Sequence, residues 1–539
     1  MAQMLLVATL AVPAAMLLAC LSARLRARMP DLLALAPLPA LAAALLAWDA
    51  PPLVLDQARL RITLALDLPA ALLLGVAALL WSAAGLYARS YMTGAGRARF
   101  AVWWLLTLTG SLGVFIAADM ASFYLTFGLA SLAAWGLVVH DGTPRALWAG
   151  EVYLVLAVLG EICLLIAFAL LAAAEPDESL AIPDVVAYLA DSPWRGLTLA
   201  LLVAGFGLKM GLVPLHVWLP LAHPAAPMPA SAVLSGVIVK AGVIGLLRFL
   251  PEGAALPDWG AALAAIGLLT AWWGVACGVT QRNPKTVLAY STVSQMGLVA
   301  AVLGMGLSAG GGALMPAAFY AAHHVLAKGA LFLAVGVVAA TGRQRLWSVL
   351  LPAAVVALGF GGLPLSGGYM AKLAVKDTLG EGAVGLVATL AGAGSTLLML
   401  HFLHRLRSAV AAGDAMAPAG LAVPWLAMAL AAVALPWALF PATGIGSLAE
   451  AFAPKALWAA LWPVLLGAAA AWLLRRWDRL PELPEGDVVI LVGRAARAGP
   501  ALGAPLDRID DVLQRWPVAG VAMLALMLAL GAALVSQAP

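Results

Sequence analysis

The stretch GLKMGLVPLHVWLPLAHP (residues 207–224) sets Lys209 inside an otherwise apolar run, follows it with Pro214 five residues on, and places His216 and His223 on either side of Pro220. A proline in a helix interior removes one backbone hydrogen bond and kinks or breaks the helix. A lysine at bilayer depth is expensive unless it is paired or hydrated. The stretch therefore reads as a helix broken at membrane depth with an ionisable group beside the break.

The composition supplies the membrane. Of 539 residues, 64% are hydrophobic and 10% charged, and mean hydropathy is +1.01. Soluble domains are about a quarter charged, so the chain is predicted to be an all-α polytopic membrane protein. A spanning helix needs about 20 apolar residues. Such runs recur at 4–23, 31–48, 67–88, 100–118, 120–139, 149–173, 197–216, 228–250, 258–280, 286–307, 313–339, 347–380 (interrupted), 383–403, 419–440, 456–474 and 518–536, sixteen in all. With one or two splits arguable, the fold class is an all-α bundle of about 14–16 transmembrane helices.

Charge orients the bundle. If the N-terminus faces out, twenty of the thirty Lys and Arg residues fall in one set of loops, Lys285 among them, and four (Arg59, Arg61, Arg195, Lys455) in the other. That bias follows the positive-inside rule. It predicts a multi-pass protein of the bacterial inner membrane with both termini outside the cytoplasm. The net charge of +4 is accounted for by cytoplasmic arginines and points to no nucleic-acid partner.

The six remaining basic residues lie in the spans: Lys209, Lys240, Arg248, Lys328, Lys372 and Lys376. Five are lysines, in a chain with seven lysines altogether. A buried lysine can lose its proton, whereas arginine effectively cannot, so this distribution suits proton transfer. A second broken helix is legible in GLPLSGGYMAKLAVKD (residues 362–377), with Pro364, a Gly367-Gly368 pair, then Lys372 and Lys376. Lys209 precedes its break and Lys372 follows its own, as segments running in opposite directions through the membrane would have it. Paired interrupted helices are the sequence trace of inverted repeats with an ion site near mid-membrane.

Other ionisable groups join these. Lys240 and Glu161 are mid-span, and His324 and Lys328 share a helix face at i, i+4. His323, His401 and His404 read as interhelical hydrogen-bond partners, and Arg248 and Lys376 lie near helix ends where long side chains snorkel. Cys20, Cys163 and Cys277 are far apart, and no His/Cys cluster suggests a metal site. LLAC, ending at Cys20, lacks the basic leader of a lipoprotein signal and continues as a first span. No glycine-rich nucleotide motif follows a strand, so no cofactor is expected.

FGLKMGLVPLHVWLPLAHPAAPMPASAVLSGVIVKAG, NPKTVLAYSTVSQMG (283–297), HHVLAKGALFL and GLPLSGGYMAK together resemble the antiporter-like subunits of respiratory complex I, Mrp cation/proton antiporters and membrane-bound hydrogenases. The resemblance covers about residues 100–410. HPAAP and PEGDVVILVGR (484–494) are most similar to the D-type branch of the Mrp antiporters and the B-type branch of the hydrogenase-4 proteins. The resemblance implies two inverted five-helix repeats: 1–99 as N-terminal helices, 100–250 and 258–410 as the repeats, and 411–539 as C-terminal helices. Residues 478–516 would form a cytoplasmic amphipathic segment, either a lateral helix or a solvated loop. It implies proton transfer through Lys209, Lys240, His324, Lys328 and Lys372, with His216 and His223 on the entry side and Lys376 and Asp377 toward an exit.

One position departs from the family. A fifth-helix glutamate that pairs with the seventh-helix lysine is expected, yet FYLTFGLASL places Gly128 there. Glu161, Glu151 or a carboxylate from a partner subunit could substitute, and Glu161 is favoured because it is mid-membrane. The expected function is a proton-translocating subunit, with or without exchange for Na+ or K+, in a multi-subunit membrane complex whose partners carry any redox chemistry. The alternatives are a membrane partner of an enzyme, such as a two-component inorganic-carbon accumulation system, and a non-conducting scaffold.

Overall fold

The computed structural model describes residues 1–490 apart from 58–59, 95, 412 and 475–480. The span expected at 518–536 and most of segment 478–516 lie outside the described residues. Met1–Glu485 forms one compact unit and Gly486–Pro539 a second. In the second, the Gly486 carbonyl accepts a hydrogen bond from the Val489 amide at 2.9 Å.

The first unit begins with α1 (Ala2–Ala19), α2 (Ala23–Arg28) and α3 (Leu38–Leu46), then a hairpin of β1 (Leu53–Gln57) and β2 (Leu60–Leu64). The helices α4 (Leu68–Tyr91), α5 (Arg97–Ile116), α6 (Met120–Val138), α7 (Pro144–Ala174), α8 (Ile182–Ala187) and α9 (Arg195–Met210) follow. Next come α10 (Trp218–Ala225), α11 (Met228–Val233), α12 (Lys240–Phe249), α13 (Pro257–Gly278), α14 (Pro284–Ala309) and α15 (Leu314–Ala339). The unit continues through α16 (Leu346–Gly359), α17 (Gly367–Leu379), α18 (Ala383–Leu406), α19 (Ala419–Ala442), α20 (Leu448–Ala451) and α21 (Pro454–Leu474). Twelve described helices are individually long and apolar enough to cross a membrane, with a bent pair over residues 23–46 making thirteen. The interrupted pairs α9/α10 and α16/α17 fall at two further expected spans. This is a multi-pass α-helical membrane protein.

Local chemistry starts the helices where the chain needs them. Asp67, Asp119, Thr143, Asn283 and Ser366 each accept a backbone amide of the following first turn. Such caps contribute about 1 kcal/mol each. Within the bundle, small residues bring backbones together. Gly260, Gly267 and Gly274 of α13 recur every seventh residue and meet Gly304, Gly297 and Ser294 of α14. A Cβ at Gly267 would fall 2.5 Å from the Gly297 carbonyl oxygen, so only glycine permits this approach.

The two ends of the bundle are held differently. At the arginine-rich end, Asp31 pairs with Arg97 at 3.0 Å and Arg89 at 3.4 Å, and Arg99 donates to the His140 carbonyl at 2.7 Å. Residues 481–485 fold back onto this end: Glu485 meets Arg145 and accepts from the Thr286 hydroxyl at 2.8 Å, and Glu482 meets Arg282. Burial pulls His140 below the usual imidazole range, against the pull of Asp141 and with a smaller push from Arg99. At the other end the β-hairpin, pairing Leu53 with Leu64 and Leu55 with Ile62, docks through the Thr63 amide on Asp119 at 2.7 Å. Arg248 was expected to snorkel. It is instead inserted at the α5 C-terminus, donating to the Phe115 carbonyl at 2.6 Å and also to that of Ala117, where a cation complements the helix dipole.

Candidate ion-transfer site

At the first break, backbone groups that the interrupted helix frees find other partners. Gly211 adopts φ 83°, and its amide and that of Leu212 both donate to the Gly207 carbonyl at 2.8 Å, a glycine-ended helix stop. Trp218 of α10 donates its indole N–H to the Leu208 carbonyl at 2.9 Å, and the Val213 amide donates to the Thr270 hydroxyl at 3.0 Å. The Val213–Pro214 peptide is cis. Irregular backbone at membrane depth is tolerated on this condition, and it leaves Lys209 in the last turn of α9, 3% exposed.

Lys209 Nζ donates to the Tyr153 hydroxyl at 3.4 Å and lies 5.5 Å from the Phe127 ring centre. Tyr153 in turn donates to the Ser131 carbonyl at 2.6 Å. Glu161, on α7, is buried and neither carboxylate oxygen has a hydrogen-bond partner. It lies against Gly128: a Cβ built there would sit 3.6 Å from Glu161 Oε2. Its charge acts on Lys209. Glu151 is exposed, about 15 Å away along the same helix at 1.5 Å per residue.

The eighth span carries a feature the sequence did not disclose. Between α11 and α12, Leu234–Ile238 forms a π-helical turn, a distortion frequent at functional sites. It ends just before Lys240, which is fully enclosed. Lys240 Nζ meets His324 Nδ1 of α15 directly, and the Ser235 carbonyl lies 3.5 Å away. One turn further along α15, Lys328 donates to the Leu288 carbonyl at 2.9 Å and sits 4.9 Å over the Phe360 ring. His323 and His324 flank the same ring.

His223 lies edge-on to Phe332 at 5.3 Å, both ring nitrogens buried without a partner. His216 stands 6.3 Å from Tyr290 and 6.4 Å from Trp273. Lys285, counted among the loop charges, is 6% exposed and donates to the Pro224 carbonyl at 3.3 Å and to that of Ala226. It belongs to the site and not to the solvent. A lysine two residues inside a capped helix start, facing a segment that ends in HPAAP, was the available signal.

At the second break Gly362 and Leu365 adopt positive φ, 96° and 65°, and Ser366 caps α17. Lys372 Nζ donates to the Gly361 carbonyl at 3.0 Å, satisfying a group the break frees. Its side chain threads between Gly362 and Gly392, where added Cβ atoms would come within 2.9 Å and 2.2 Å of it. A neutral chain joins α15, α14 and α18: Tyr320 donates to Gln295 Oε1 at 2.6 Å, and Gln295 donates to the Ser395 hydroxyl at 3.0 Å. A second such pair, Ser235 and Thr292, is 2.7 Å apart. Lys376 is half-exposed, 3.9 Å from Glu381, and Asp377 is exposed. His401 donates to the Gln281 carbonyl at 2.7 Å and His404 is exposed. Among the described residues, no group of three or more His, Cys, Asp and Glu could hold a metal ion.

A multi-pass bundle with two interrupted helices and a lysine beside each break, Lys209 buried and Lys372 partly so, defines a class of membrane protein built around a polar interior axis. The chain belongs to the NADH:quinone oxidoreductase/Mrp antiporter transmembrane family, whose model matches residues 117–397. It is 35% identical over 291 residues to an uncharacterized protein of Mycobacterium tuberculosis, covering 50% of this chain and 45% of that one. It is 33% identical over 295 residues to hydrogenase-4 component B of Escherichia coli, covering 51% and 43%. The match thus spans less than half the length of these relatives. Among solved structures, the Mrp complex from Dietzia sp. DQ12-45-1b superposes with a TM-score of 0.77 at 22% identity, covering 100% of this chain and 63% of the other. The archaeal membrane-bound sulfane sulfur reductase superposes at 0.68 and 21%, covering 98% and 99%. These two establish a shared fold.

Proposed function

We propose that the chain is a proton-translocating subunit of a multi-subunit complex in the bacterial inner membrane, both termini outside the cytoplasm. The observation that carries this reading is the direct Lys240–His324 contact inside a closed bundle, between Lys209 on one side and Lys328 and Lys372 on the other. Two basic groups in contact share a proton more readily than they hold two, so charge entering at one displaces charge at the next. Protons would enter past Lys285, His216 and His223, step through Lys240, His324 and Lys328, and reach Lys372 over the Tyr320–Gln295–Ser395 bridge, with Lys376 at the exit. Glu161 takes the place of the glutamate missing at Gly128 and governs the charge of Lys209. The two broken spans fall one in each of the repeats 100–250 and 258–410.

The subunit carries no redox centre in this scheme, so partners supply the driving reaction or the exchanged cation. Purification of the chain from native membranes with its bound partners, followed by proton flux measured in vesicles with Lys240→Met, tests the reading. Loss of flux with an intact complex supports it. Full flux with Lys240→Met would instead favour a scaffold or the membrane partner of an enzyme.

A further inference from the structure

α21 packs along α18, while α17 packs on α15 and α19. A cleft of about 370 Å³ is left between α17, α18 and α21, within the size range of ligand sites. Its lining is divided. Lys372, Lys376 and Lys455 supply three amines, and Leu373, Leu386, Ala459, Trp462 and Pro463 supply an apolar wall. Glu381 is the one carboxylate at its mouth, exposed and 3.9 Å from Lys376. Lys455 has no ion pair among the described residues, so the cleft carries an excess of positive charge.

The level of this cleft in the bundle is informative. Lys376 lies in the last turn of α17, Lys455 in the first turn of α21, and α18 starts at Ala383. Two spanning helices and the second half of an interrupted span therefore end together, at the level where a bilayer presents its headgroups. This is also the end of the bundle with few basic loop residues: the sequence assigns it four. One of those four and the neighbouring Lys376 are both spent on a single cleft. Amines at headgroup depth above an apolar wall match an amphiphile with a negative head and a hydrocarbon body.

We infer that the α17–α18–α21 cleft binds one anionic phospholipid, its phosphate between Lys376 and Lys455 and its acyl chains along Leu386 and Trp462. The cleft shares Lys372 and Lys376 with the proposed exit, but the inference does not rest on transport and its readout is binding, so the two fail separately. The full-length chain is reconstituted in nanodiscs of equal phosphatidylglycerol and phosphatidylcholine, released, and weighed by native mass spectrometry. Phosphatidylglycerol is expected to be retained preferentially. Lys376→Gln with Lys455→Gln should cut that preference by roughly 30-fold, from about fivefold per surface lysine. Glu381→Gln, which removes the opposing carboxylate, should raise it. Inorganic phosphate at millimolar concentration should not displace the lipid, because it cannot use the apolar wall. Equal retention of the two lipids, an unchanged preference in the double variant, or displacement by phosphate alone would each overturn the inference. An acidic partner protein occupying the cleft would give the first of these results.

Discussion

Replacing Glu161 by glutamine removes one charge and almost no volume, and its consequence follows from the geometry around Gly128. Glu161 is buried without a hydrogen-bond partner, and its charge is the opposite one that acts on Lys209. Lys209 itself is in contact with a neutral hydroxyl. At an effective dielectric of about 20, two unit charges about 4 Å apart attract by roughly 4 kcal/mol, and the attraction falls in proportion as they separate. Each ~1.4 kcal/mol of that attraction is worth about tenfold in a protonation equilibrium, so even a fraction of it sets the rate of proton transfer at Lys209. Proton flux in vesicles carrying the native complex, followed by fluorescence quenching, should therefore fall at least tenfold in Glu161→Gln and recover in Glu161→Asp.

The same contact offers a rescue. The atoms a Cβ at Gly128 would meet are the Glu161 carboxylate itself, at 3.6 and 4.0 Å. Gly128→Glu in a Glu161→Ala background places a carboxylate in the space just vacated and should restore a large part of the flux. Wild-type flux in Glu161→Gln, or a Gly128→Glu/Glu161→Ala double variant that assembles but stays inactive, would refute the reasoning.

Trp218→Phe removes one of two donors to the Leu208 carbonyl, the Gly211 amide at 3.1 Å being the other, and should lower thermal stability by about 1 kcal/mol, the net worth of one hydrogen bond, read as a shift in the detergent melting curve. Gly392→Ala crowds the Lys372 amine, a flexible group, so assembly should survive while flux falls; unchanged flux would mean that the position of Lys372 is immaterial. Gly242→Val drives a side chain into the Phe206 carbonyl, 2.4 Å from the Cβ position, and should prevent assembly altogether. Burial holds His140 below the usual imidazole range. Its folded value lies below its unfolded one, so the stability it contributes is present above the usual imidazole range and lost as pH falls through the lower value. His140→Phe should flatten that acid-side loss in a pH series of melting curves.

What was legible in the sequence was what disobeys lipid. Lys209 with Pro214, and Lys372 after Pro364 and Gly367-Gly368, break the apolar pattern that surrounds them, and the structure interrupts helices at both places. The family was legible in the same stretches. Less visible were features that look ordinary in one dimension. Lys285 resembles any basic residue at a helix start, and its burial depends on carbonyls sixty residues away. Tyr320, Gln295 and Ser395 are neutral and common in membrane helices, so their bridge exists only once α14, α15 and α18 meet. The π-helical turn before Lys240 has no proline or glycine pair to announce it, and the hairpin at 53–64 was hidden between two stronger apolar runs. The contact between Gly128 and Glu161 joins two helices thirty-three positions apart, a pairing that no spacing rule within one helix describes.

The most direct test of the central claim is proton flux through the native complex with Lys209→Ala, measured alongside the amount of assembled complex. Transfer through a buried lysine axis predicts an intact complex whose flux falls to background. An assembled complex that still translocates protons at the wild-type rate would contradict it.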